Sequence, residues 1–125
     1  MKNTIHTDSA PQAIGPYSQA VTINGMVYTS GQIALDPQTG KMSEGDFGAR
    51  VHQVMHNLSE VLKAAGTDFT KVVKTTIYVT DLGKFATLNA IYGDYMGASK
   101  PARATVQVAA LPMGTDVEID MVAHL

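Results

Sequence analysis

The chain has 125 residues, 45% of them apolar, a formal net charge of −2 at pH 7 and no cysteine. That is one domain's worth of chain, 1–125; its charge gives no basic field for nucleic acid or an anionic membrane, and without thiols it has no disulfide framework, thiolate nucleophile or cysteine metal site. The opening MKNTIHTDSAP lacks the apolar core of a signal peptide and no run approaches a membrane span, so the expectation is a cytoplasmic protein.

Residues 1–17 read as polar chain followed by an irregular loop, because Gly15 and Pro16 both interrupt regular structure. On residue type alone, Tyr17 is a ring at the edge of the core. Over 18–33, Asn24-Gly25 between two β-rich runs is the signature of a type I′ hairpin. A two-residue turn sets Ile23 opposite Met26, Val21 opposite Tyr28 and Gln19 opposite Ser30 on one face. Ala20, Thr22, Val27, Thr29 and Gly31 fall on the other. Gly31 by itself indicates close packing or a bulge.

Asp36-Pro37-Gln38-Thr39-Gly40 marks a loop within 34–45. From Asp46 to Ala65, Phe47, Val51, Val54, Met55, Leu58, Val61 and Leu62 recur at three- and four-residue intervals, which predicts a helix. Ser43 and Asp46 suit its start, and Gly66 its stop. His52 and His56 stand four apart on this helix, but away from its apolar stripe. With no glutamate between them and no third ligand in view, they read as a solvated face and not a metal site.

Val72–Val79 predicts a strand. A second helix starts near Asp81 and runs to about Met96, with Gly97 as its stop. Asn89 lies within it and reads, by type, as surface polarity. The last stretch, PARATVQVAALPMGTDVEIDM over 101–121, predicts two strands around a turn at Pro112–Asp116. Arg103, Thr105 and Gln107 share one face of the first strand, and Glu118 and Asp120 one face of the second. Paired as a hairpin, the strands would bring an arginine and a carboxylate over the same side of one sheet. By type and place alone, Arg103 is a surface charge and Glu118 a solvated strand residue.

Several separated motifs resemble one family along the whole chain. Pro101-Ala102-Arg103, Leu111-Pro112 and Val117-Glu118-Ile119 are similar to the signature of the reactive-intermediate deaminases, the RidA/YjgF family of enamine/imine deaminases. Ala13-Ile14-Gly15-Pro16-Tyr17-Ser18, Thr29-Ser30-Gly31-Gln32, and Asn89 with Tyr92 follow the same pattern. The resemblance implies an α+β, chorismate-mutase-like fold: a mixed sheet, two helices on one face, and a homotrimer with active sites in the clefts between subunits. The interleaved elements and an uncovered sheet face mixing polar groups with Val, Ile, Met and Tyr reach only as far as an oligomer.

The resemblance also implies the chemistry. Arg103 would bind the carboxylate of a 2-imino or 2-enamino acid such as 2-aminoacrylate, and Glu118 would activate the water that adds to the imine carbon. Tyr17, Ser30, Gly31 and Asn89 would line the cleft, with Thr105 where many bacterial members carry cysteine. Hydrolysis to a keto acid and ammonia would need no cofactor and no metal, and no nucleic-acid or membrane partner is implied. The alternative is a non-catalytic protein of the same fold that binds keto acids or amino acids. An RNA-active protein is disfavoured by the acidic balance, and chaperone-like surface activity leaves no motif to read.

Overall fold

Residues 1–125 are described by a computed structural model. Six strands and two α-helices follow in the order β1 (Asn3–Ile5), β2 (Ala20–Ile23), β3 (Met26–Thr29), α1 (Phe47–Ala64), β4 (Val72–Val79), α2 (Phe85–Met96), β5 (Ala102–Gln107) and β6 (Val117–His124). The strands form one mixed sheet in the order β1-β2-β3-β6-β4-β5, in which only β4 and β5 are parallel.

The Asn24-Gly25 turn forms as its chemistry dictates. Both residues take positive φ, 51° and 75°, and the pairing runs Ile23 to Met26 and Val21 to Tyr28. Asp46 caps α1 by accepting from the Ala49 amide at 2.9 Å, and Gly66 follows the helix end at φ 89°. The second helix is entered through a 3-10 turn at Leu82–Lys84, capped by Asp81, so the α-helix proper begins at Phe85.

Alternation decides which face is covered. Thr75, Ile77 and Val79 of β4 are buried with Val117, Ile119, Met121 and Ala123 of β6. Beneath them lie Val51, Val54, Met55, Leu58, Val61 and Leu62 of α1 and Leu88, Tyr92 and Met96 of α2. Both helices therefore pack on one face. The other face carries no helix, and Tyr28, Ile23 and Val106 are exposed on it.

Three expectations are corrected. The stretch 101–121 is not a hairpin: β4 lies between β5 and β6, paired parallel with one and antiparallel with the other. The start of the chain is not all loop, since β1 adds an edge strand against β2. Gly31 does not follow the hairpin's alternation. Between the pairs Tyr28–Val122 and Gln32–Ile119, the β3 side advances four residues and β6 only three. One extra residue is accommodated at Thr29–Gly31, a β-bulge, where the Thr29 hydroxyl takes the Met121 amide at 3.0 Å. The bulge turns Gly31 to the uncovered face.

Candidate active site

The candidate residues fall into two groups, on opposite faces of the sheet. Arg103 pairs with Thr75 and Thr105 with Ile77, so both point to the helix-covered face. Glu118 pairs with Tyr78 and Asp120 with Thr76, on the uncovered face. The expectation that Arg103 and Glu118 share one side within a chain is thus overturned: β4 lies between their strands, and its register sets Arg103 level with Thr75 but Glu118 level with Tyr78, on opposite faces.

On the covered face, Phe85, Asn89 and Tyr92 recur at helical spacing and look toward β5. Arg103 donates from Nη1 to Asn89 Oδ1 at 2.8 Å. Its guanidinium carbon lies 5.2 Å from the Tyr92 ring centre and 5.4 Å from that of Phe85. These contacts are cation–π in geometry. Nε and Nη2 make no hydrogen bond within the chain, leaving one edge of the fork open for a carboxylate. Thr105 Oγ1, on the same strand face, is buried without a partner.

On the uncovered face, a cavity of ≈ 570 Å³ opens at the bulge. Tyr17, Ser30, Gly31 and Glu118 line it together, with Ile14, Ile33, Leu35, Pro112 and Met113 as its apolar wall. Tyr17 is not a core-edge ring: it is half exposed, and its hydroxyl accepts from the Ile14 amide at 3.3 Å. Ser30 donates its hydroxyl proton to the Ser18 carbonyl, so toward the cavity its oxygen is an acceptor. Gly31 lets the Glu118 carboxylate lie against the backbone: a Cβ there would stand 2.6 Å from one of its oxygens and push it aside. The Gly31 amide donates no hydrogen bond within the chain.

Glu118 has no ion-pair or hydrogen-bond partner. Burial pushes its carboxyl above the usual range, and the neighbouring Asp120 adds to the shift. Asp120 is likewise raised by burial, against the Tyr78 hydroxyl that donates to it at 3.3 Å. A carboxyl made harder to ionise by burial, on a cavity wall, is better suited than a free one to both taking and returning a proton. His52 and His56 are both exposed on α1, where His52 Nδ1 lies 2.9 Å from the Tyr95 hydroxyl.

Sequence reasoning missed the rings around Arg103 and most of the apolar wall. Tyr92 enters as the companion of Asn89 in the family pattern, with no role of its own, and Phe85 only as an apolar residue within the second helix. Met113 carried none, and the structure holds it at φ 58° on the cavity rim.

The comparisons with known proteins agree on one group. The family model described as Endoribonuclease L-PSP matches residues 7–125. A Myxococcus xanthus protein named Protein DfrA is 55% identical over 98% of this chain and 95% of its own. The 2-iminobutanoate/2-iminopropanoate deaminase of Mus musculus is 50% identical over 98% of this chain and 91% of its own. A crystal structure of a Yersinia pestis protein of the conserved Rid family superposes with a TM-score of 0.98, at 47% identity and 100% coverage of both chains.

Proposed function

The chain belongs to the Endoribonuclease L-PSP family, which is the RidA/YjgF family, and from that premise we propose that it is a cofactor-free hydrolase of reactive 2-enamino and 2-imino acids. The mouse relative that is named a 2-iminobutanoate/2-iminopropanoate deaminase supports the substrate class. One observation carries the site assignment: Glu118 stands unpartnered on a cavity wall while Arg103 offers an open fork on the opposite face. Neither half suffices alone. A second copy of the chain, setting its Arg103 face against this Glu118 face, completes the site. The homotrimer of chorismate-mutase-like arrangement, one 1–125 domain per subunit, meets that need, and it covers the open sheet face.

Each step then has a residue. Arg103 takes the substrate carboxylate on Nε and Nη2, with Thr105 as a nearby hydroxyl and Asn89 holding the guanidinium. In the facing half, Glu118 orients a water and removes its proton as the oxygen bonds to the imine carbon. The imine nitrogen gains that proton equivalent, giving a tetrahedral carbinolamine. The hydroxyl proton then passes to the nitrogen through Glu118, the carbon–nitrogen bond breaks as the carbonyl forms, and ammonia leaves with a 2-keto acid behind. Tyr17, Ser30 and the Gly31 amide border this centre. Imines hydrolyse in water unaided, so orientation and acid–base help suffice, without metal or cofactor. The proposed substrate is a small imino acid and the proposed location the cytoplasm, on the sequence pattern of the N-terminus. No helix is long and apolar enough to cross a membrane.

The test generates 2-aminoacrylate in situ with a serine dehydratase and follows pyruvate formation with and without the protein. Acceleration that is lost in Arg103→Ala and in Glu118→Gln supports the reading. Mixing the two inactive variants, unfolding and reassembling them together, should recover part of the activity, because some clefts then take both intact halves. No recovery in folded mixed oligomers would sink the shared site. Calorimetric binding of keto acid without any turnover would favour a ligand-binding protein instead.

A further inference from the structure

We propose that Tyr92 is the positioning residue for Arg103: its ring is the surface against which the guanidinium is held, and Thr75 fixes that ring in place. This rests on the reading of Arg103 as the carboxylate anchor.

Three contacts make a closed set. Arg103 pairs with Thr75 across the β4–β5 ladder. Thr75 Oγ1 accepts from the Tyr92 hydroxyl at 2.9 Å. The Tyr92 ring returns to Arg103, 5.2 Å from the guanidinium carbon. The backbone of the arginine and the hydroxyl of the ring are thus both registered to one fully buried threonine. Phe85 also faces the guanidinium, but it is 36% exposed, whereas Tyr92 is 7% exposed. Asn89 orients one nitrogen and the Tyr92 ring backs the guanidinium carbon.

The arrangement answers a physical need. β5 is an edge strand and Arg103 is exposed on it. A free arginine side chain loses much rotamer freedom when it grips a ligand, which weakens binding. A guanidinium already held at Asn89 and Tyr92 has lost that freedom before the ligand arrives. Tyr92 packs with Leu88 and Met96 in α2's buried stripe, and its ring also faces the guanidinium, so one side chain serves both the core and the arginine.

The chain contains two arginines, Arg50 and Arg103, so an arginine Nε–Hε spectrum holds two resonances and Arg50→Lys assigns them. In Tyr92→Met, which keeps an apolar chain of most of the volume but no ring, the Arg103 resonance should move toward the free-arginine position and the Arg50 resonance should stay. The Kd for 2-oxobutanoate should rise about 3–10-fold, and KM with it, while kcat changes less than about twofold. Tyr92→Phe keeps the ring and drops the hydroxyl. It should leave Kd within about twofold and lower the heteronuclear NOE of Arg103 Nε only. Should Tyr92→Met fail to fold, that second variant decides: an unchanged NOE overturns the proposal, as does an unmoved Arg103 resonance in folded Tyr92→Met. Keto-acid binding that survives Arg103→Ala would instead overturn the carboxylate anchor, an outcome the spectra do not depend on.

Discussion

Arg50 and Arg103 are chemically the same and differently circumstanced. Arg50 finds its carboxylate within the chain, donating from Nε and Nη2 to the two oxygens of Asp116 at 2.8 and 2.7 Å. Both side chains are about four-fifths buried, at 20% and 19% exposure, and Lys84 stands 3.8 Å from the same carboxylate. Arg103 has rings and an amide around it but no anion. The carboxylates divide in the same way: the Arg50 guanidinium holds Asp116 below the usual range, whereas burial lifts Glu118 above it. A charge satisfied inside the chain ties elements together; here it joins the first turn of α1 to the approach to β6. A charge with its fork left open is available to a ligand, at some cost to the fold.

Substitutions should separate the two circumstances. The largest effect is expected at Glu118. Glu118→Gln should lower kcat by roughly 10²–10⁴ in the imine assay, and Arg50→Ala should leave it within about twofold of wild type per folded protein. Comparable losses from both would erase the distinction. Next comes Gly31→Ala. The new methyl group displaces the Glu118 carboxylate, and misplacement on the scale of an ångström costs about 10²-fold in rate; steady-state kinetics should show this with little change in thermal stability.

Smaller effects fall on stability. Asp116→Ala leaves Arg50 without its bidentate partner and should cost about 1–2 kcal/mol, read as a drop in the denaturation midpoint at constant slope. The pH dependence carries opposite signs in the two regions. Asp116, lowered in the folded state, contributes stability above its unfolded value that is lost as pH falls through its folded value. Asp116→Asn should therefore flatten the acid limb. Glu118, raised in the folded state, holds its proton more tightly than in the unfolded chain, so stability declines as pH rises from the unfolded to the folded value. Glu118→Gln should thus raise Tm slightly at neutral pH, with the gain vanishing below the ordinary carboxylate range. A neutral-pH loss in Tm would contradict the unpartnered state of Glu118.

The legible parts of this fold were those written locally. Asn24-Gly25 specifies its own turn, and the stripe from Phe47 to Leu62 specifies α1, because both are decided within a few residues. The intercalation of β4 is decided by long-range pairing, and Pro112-Met113-Gly114 carries no mark of the strand that must fit between its neighbours. β1, three residues with two of them polar, is too short to display alternation. The face of Gly31 was misread for a related reason: strict alternation assumes no bulge, and the Thr29 hydroxyl that sustains this one is an ordinary strand residue in sequence. The separation of Arg103 from Glu118 onto opposite faces follows from the registers both strands keep with β4, Arg103 against Thr75 and Glu118 against Tyr78, which no local motif records. Arg50 did leave a trace. A cation in the first turn of a helix opposes the helix dipole, which signals that something elsewhere compensates it; Asp116, 66 residues away, does so.

The bulge at Thr29–Gly31 sets a trap for sequence change. Losing a single residue there would let β3 and β6 pair without interruption, and by every local measure the sheet would improve. Losing Thr29 would carry Ser30 round to the helix-covered face, opposite Met121, and losing Gly31 would set the Ser30 side chain in the slot beside Glu118; either change spoils the notch. A one-codon deletion of this kind should give a well-folded protein that expresses normally and does nothing, so an irregularity that a designer would tidy away is the part of the chain least able to be shortened.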